Sequence, residues 1–251
     1  MPSLSPSHLI LILRLSCTAE ILAKWQQSFI AGSNPALGIL FLLGLIVVWL
    51  PSSRISRGLL WGISGVFFIQ AILKFINSGY EIAQLIELSL QVLSPAFLAL
   101  ASSQIDRQKL YAYFRLAIAL TFMGHGWYAL GIVYEQPGHF IEMVVKSLGF
   151  LGMNAEVAYY FLIAAGIMDM LVVIGMFVPN YVKISALYAS IWGFLTSAAR
   201  IAAYVRFGES FWTQLSLYLP EFLIRVPHFS VPWLVFKDEQ IEEEKEVLTV
   251  S

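Results

Sequence analysis

Arg115-Leu-Ala-Ile-Ala-Leu-Thr-Phe-Met-Gly124-His125-Gly126-Trp-Tyr-Ala-Leu-Gly131 is long and apolar enough to lie in a bilayer, yet it sets an imidazole between two glycines. A polar ring inside hydrocarbon is costly unless another helix supplies a partner, and flanking glycines let that helix approach closely. The stretch therefore predicts a polytopic membrane bundle with a polar spot in its interior. The composition agrees: 59% of residues are hydrophobic and 12% charged, against about 25% charged in ordinary soluble domains. Mean hydropathy is +0.76.

A formal net charge of -1 and the lack of a basic cluster exclude nucleic acid as an expected partner. Cys17 is the only cysteine, so no intramolecular disulfide, CxxC redox pair or thiolate metal cage can form. No haem-attachment, dinucleotide, Walker, zincin or nucleophile-elbow motif occurs, and no metal site is expected. Pro2, Ser3, Ser5 and Pro6 precede the first apolar run where a secretory signal carries basic residues, so that run is expected to be retained as a membrane helix.

Taking about 20 apolar residues per crossing, the expected spans are 8–30, 36–51, 58–77, 83–103, 110–134, 156–179, 181–205 and 210–236. The second, fifth, sixth and seventh stand out. The first carries Arg14, Glu20 and Lys24, and the fourth is interrupted by Glu87, Gln91 and Pro95; six or seven crossings are the alternatives. Arg54, Arg57, Arg107, Lys109 and Lys183 fall in loops on one side, which by the positive-inside rule makes both termini cytoplasmic. The expected location is the bacterial cytoplasmic (inner) membrane. Residues 139–151 place Phe140, Met143, Val144 and Leu148 at helical spacing beside Glu142 and Lys146, which suits a helix in the membrane surface or a short loop over the bundle.

Two echoes suggest duplication. Leu13-Arg14-Leu15 with Trp25 matches Phe114-Arg115-Leu116 with Trp127, and Val47-Val-Trp-Leu-Pro51 with Arg54 matches Gly175-Met-Phe-Val-Pro179 with Lys183. The expected organisation is an all-α bundle of about eight membrane helices in two parallel four-helix halves, 1–105 and 106–236, with an acidic, solvated cytoplasmic tail at 237–251.

His125 lies about 21 Å along its helix from Tyr111, and Asp169 about 20 Å from the outer start of its own, so the depths match and Asp169 is the expected partner. Such a pair either fixes helix register or handles a proton at a quinone headgroup. Gly124, Gly126 and Gly166 are the expected close-packing positions. Glu221, Arg225 and His228 sit at i, i+4 and i+7 beside Pro227 and Pro232, predicting a polar stripe on a kinked or broken last helix. That pattern marks a substrate or ion path, or a self-neutralising pair. Arg14, Arg115 and Arg200 are expected to snorkel to headgroups, and Glu20 with Lys24 to be a structural pair. His125 with His228 is the one histidine pair that could bracket a haem.

The arginine opening an apolar helix that ends in Gly124-His125-Gly126, followed by Gly166-Ile-Met-Asp169 and Leu171-Val-Val-Ile-Gly175, resembles the DoxX-like membrane proteins over roughly residues 110–205, with a degenerate first copy over 8–103. The family usually has Glu where Asp169 stands, and the first copy has Ala23-Lys24-Trp25 in place of Gly-His-Gly. The resemblance implies a four-helix membrane unit, doubled here, with Arg115, His125 and Asp169 as its polar positions, in a family named for a subunit of a thiosulfate:quinone oxidoreductase. It implies quinone as a ligand, with no cofactor intrinsic to the chain, and a redox partner subunit in the bilayer. The alternatives are a small-solute or ion transporter using the kinked last helix, and a non-catalytic structural partner.

Overall fold

The computed structural model describes residues 5–30, 35–103, 105–208 and 210–250, with side chains at all of these except 29, 30, 35 and 242–250. Among them there are helices and turns and no strand. The helices are α1 (Pro6–Ile30), α2 (Pro35–Trp49), α3 (Arg54–Asn77), α4 (Ile82–Ile86), α5 (Ser89–Ala101), α6 (Arg107–Leu130), α7 (Gly138–Leu148), α8 (Ala155–Gly175), α9 (Val182–Tyr204), α10 (Phe211–Leu223) and α11 (Val226–Val250).

Four segments are long and apolar enough to cross a membrane: Pro6–Ser28, Arg54–Asn77, Ile82–Ala101 and Ala155–Gly175. Of the spans that stand out in the sequence, only α8 is among them. The apolar helix Ala36–Trp49 is short. Arg107–Leu130 and Val182–Tyr204 have the length but also carry inward polar residues: Thr121 is buried on α6, and Ser185, Ser190 and Ser197 are buried on α9. A helix enclosed by others need not be apolar all round, because its polar stripe never meets lipid.

Polarity is inverted relative to a soluble protein. Leu43, Ile46, Ile69, Leu171 and Ile174 are exposed while Glu20, Gln91, Asp169 and His228 are buried, so the large apolar surface suits lipid rather than water. One core cluster runs through the middle of the bundle, joining Leu13 and Cys17 of α1, Phe97 of α5, Phe114 and Ile118 of α6, and Val231 and Leu234 of α11. Phe97 and Phe114 meet edge to face at 4.8 Å.

The packing order repeats. In the first part of the chain α1 pairs with α2 and α3 with α5; in the second, α6 pairs with α8 and α9 with α11. Across the two, α1 packs on α10 and α11, and α6 packs on α4 and α5. Both closing segments are interrupted, at Glu87–Leu88 between α4 and α5 and at Ile224–Arg225 between α10 and α11. The second break has a clear cause: Pro227 has no N–H to give Leu223, so the helix stops and restarts with Pro227 in the first turn of α11.

α11 continues past residue 237 through Val250. Asp238 is buried and paired with Arg107, and Glu239 pairs with Arg115. The start of the acidic segment is thus docked on the first turns of α6, and the solvated character expected of the tail from residue 242 on lies outside the described side chains. Arg14 donates to the Leu50 carbonyl at 3.0 Å and lies over the Trp49 ring, capping the end of α2 rather than reaching a headgroup. α7 presents Phe140, Val144 and Leu148 to Ala158 and Leu162 of α8, so it is an amphipathic helix packed over the bundle.

Candidate functional site

The Gly124-His125-Gly126 turn is wedged between two backbones. A Cβ at Gly124 would stand 2.7 Å from the Glu87 nitrogen, at the α4–α5 break, whereas one at Gly126 would stand 3.2 Å from the Asp169 Cβ on α8. Gly166 completes the α6–α8 contact, its absent Cβ lying 2.9 Å from the Leu130 nitrogen. Successive helical residues turn by about 100°, so with its two neighbours pressed against different helices His125 points into the wedge between them.

The carboxylate nearest that imidazole is Glu87, whose Oε2 lies 3.5 Å from His125 Nδ1. Glu87 in turn accepts a hydrogen bond from Gln84. Asp169, the expected partner, lines the same cavity as His125 but leaves its Oδ1 without a hydrogen bond. The difference is angular: Gly126, not His125, is the α6 residue that meets Asp169.

His125, Asp169, Arg200, Arg225 and His228 all line one buried cavity of about 70 Å³. The rings of His125 and His228 are 5.6 Å apart at a 51° tilt. The Glu87 backbone bears electrostatically on His228, yet neither ring nitrogen completes a hydrogen bond of normal geometry, and Arg225 Nε has none either. Gly193 lets α9 approach α11 here; a Cβ would stand 2.5 Å from the His228 carbonyl oxygen. Phe140 and Met143 of α7 roof the chamber.

A wider depression of about 490 Å³ lies against it, lined by His139, Glu142, Lys146, Tyr204, Tyr218 and Glu221. Met143, Arg200 and Arg225 line both spaces, and the boundary they form between them is called the neck. Arg225 is held by Glu221, through both its carboxylate at 2.8 Å and its carbonyl, and Gln27 of α1 donates to the same carboxylate at 2.8 Å. Arg200 donates to the Thr196 carbonyl on its own helix, and no acidic side chain among the described residues stands within ion-pair distance of it. In the outer depression, burial together with the positive charge of Arg200 and Arg225 pushes the His139 imidazole below its ordinary range. Lys146, paired with Glu142, is held above its own.

The structure therefore gathers His125, Asp169, Arg225 and His228 at one chamber, puts Glu221 at its mouth, and leaves Arg115 outside. Arg115 is ten residues, about 15 Å, from His125 along α6, engaged with Glu239. Two contributors were not singled out from sequence. Glu87 is visible there only as a charge interrupting a span, and Arg200 was expected to face headgroups.

Comparison with protein families, with curated proteins and with solved structures finds no match to this chain. Geometry alone carries the functional argument. Enough polar atoms without partners, both donors and acceptors, face a chamber large enough for a few waters or one small ion. An apolar cavity of about 150 Å³ takes a benzene ring; this one is less than half that size, so neither a quinone ring nor a haem bracketed by the two histidines fits it as it stands.

Proposed function

We propose that the chain is a membrane transport protein that passes a small anionic solute through its second half. In this reading it spans the bilayer eight times as two parallel four-helix halves, with both termini cytoplasmic and α7 on the outer face. The repeated packing order and the reciprocal contacts of α1 with α10–α11 and α6 with α4–α5 support the halves. Four-helix halves are also what the DoxX-like resemblance implies. The sidedness rests on Arg54, Arg57, Arg107 and Lys183 lying at one end.

The observation that carries the reading is the neck. Two arginines line both the outer depression and the chamber, and no acidic side chain among the described residues stands within ion-pair distance of Arg200. Arginine rings and pairs select anions in pores because the charge attracts while the planar fork binds. Beyond the neck, Arg225 Nε offers a hydrogen bond that the protein does not use, and the His228 ring lies beside it. The broken α10–α11 segment supplies both Arg225 and His228, which is where membrane proteins tolerate non-helical backbone.

The test is swelling of proteoliposomes in chloride, nitrate, formate and acetate. The parent should exceed protein-free vesicles for at least one of these anions. Arg200→Gln should lower that flux about tenfold, the loss of roughly 1.4 kcal/mol of anion stabilisation. Absent flux in all four, or flux indifferent to Arg200→Gln and Arg225→Ala together, would overturn the proposal.

A further inference from the structure

The two halves can be aligned on contacts that have nothing to do with the cavity. Ser64 of α3 donates to the carbonyl of Val92 at 2.6 Å, three residues before Pro95; Ser190 of α9 donates to the carbonyl of Phe229 at 2.9 Å, three residues before Pro232. Arg14 and Arg115 open the first helix of each half. Counting from these anchors sets Lys24 against His125, Phe67 against Gly193, Gln70 against Thr196, Lys74 against Arg200, Leu88 against Arg225 and Gln91 against His228.

All six second-half positions line the chamber described above, and all six first-half positions line a second pocket of about 10 Å³. None of the second-half anchors lines the chamber, and of the first-half anchors Val92 alone borders the smaller pocket, so the match of six positions identifies the pockets as counterparts. One of the paired positions differs most in bulk. Gly193 contributes no side chain, whereas Phe67 is buried and its ring lies 5.6 Å from Lys24 Nζ. What remains beside the ring is room for about one water. Glu20 also borders this space; Ser94 bears on its carboxyl, and neither oxygen completes a hydrogen bond of normal geometry.

We propose that Phe67 plugs a latent small-anion pocket in the first half, lined by Lys24, Gln70, Lys74 and Gln91, so that the second half alone is open to solute. This rests on the reading of the second-half chamber as an anion site. Two ammonium groups and two amides outnumber the one carboxyl, Glu20, that borders the space, which leaves the lining suited to an anion, and the ring, by its bulk and its face on Lys24, fills that space. Which half is open is then set by the pair Phe67 and Gly193.

The experiment uses silver ion, a water-sized thiol probe, in chloride-free nitrate buffer. In a Cys17→Ser background, His228→Cys and Gln91→Cys each report on one pocket, and thiols still free after exposure are counted with a maleimide on the denatured chain. The cysteine at 228 should be protected at least about tenfold faster than that at 91, because reaction tracks access to the open pocket. Adding Phe67→Ala should bring Gln91→Cys to a comparable rate. Where Phe67→Ala is not monodisperse in detergent, Phe67→Leu replaces it, with a gain of about threefold expected. Equal rates at 91 and 228 with Phe67 in place, or no gain on its replacement, would overturn the plug. The readout involves no transport, so a failed anion proposal would appear as absent flux with this protection pattern intact.

Discussion

Glu87 Oε2 lies 3.5 Å from His125 Nδ1, although the carboxylate comes from the α4–α5 break and the imidazole from α6. The carboxylate beside the chamber's imidazole is therefore lent by a neighbouring segment. Reciprocally, Glu221 of the α10–α11 segment takes a hydrogen bond from Gln27 on α1. Each interrupted segment thus completes a polar contact with a helix from a distant part of the chain, Glu87 with α6 and Glu221 with α1.

A double-mutant cycle should reveal that loan. Glu87→Gln and His125→Ala, alone and together, are expected to be non-additive by about 1 kcal/mol or more in unfolding from detergent, as for buried groups in direct contact. Additive losses would mean the pair does not interact.

The glycines separate into two kinds. Gly166→Ala places a methyl against the Leu130 backbone and should cost roughly 1–3 kcal/mol, the range for overpacking. Gly62 has open space around it, so Gly62→Ala should be neutral or slightly stabilising through helix propensity, about 1 kcal/mol at most. Comparing thermal melts of the two in one detergent checks both.

Arg115 pairs with Glu239 outside the chamber, with both side chains partly exposed. Arg115→Ala is expected to cost less than about 1 kcal/mol, as exposed pairs do, and to leave anion flux unchanged. A loss of flux at constant folded yield would bring Arg115 into the pathway.

His139 should give stability an acid edge. Its imidazole is pushed down by burial and by Arg200 and Arg225, so below about pH 6.5 the unfolded chain takes up a proton that the folded one resists. The contribution is present above that pH and lost as pH falls. Melting temperature against pH should slope less steeply on the acid side in His139→Gln than in the parent.

Much of this arrangement can be read from residue order. The periodicity of Glu221, Arg225 and His228 and the position of Pro227 foretell a polar stripe at a break. The Arg14 and Arg115 echo foretells a repeat that the packing order matches. What sequence does not carry is which helices become neighbours. Equal depth made Asp169 the natural partner of His125, but depth says nothing of rotation, and Gly126 occupies the angle that faces Asp169. Glu87 reads as a flaw in a span because the one proline of that span, Pro95, lies eight residues further on and does not announce the break beside Glu87. Arg200 looked like a headgroup anchor because its distance along α9 is compatible with the interface; only the approach of α10 and α11 turns it to a neck. The same gap explains why α6 reads as a clear span although its composition is less apolar than that of α1 or α3.

α11 touches both ends of the machinery. His228 stands at the chamber, and Asp238, ten residues or about 15 Å further on, is clamped to Arg107 at the base of α6. Pro232 lies between them. A rod with a proline between two held points makes a lever: a protein or ion that draws Asp238 and Glu239 away from their arginines would shift the histidine at the far end, giving the surface where α11 meets the start of α6 a mechanical handle on the chamber.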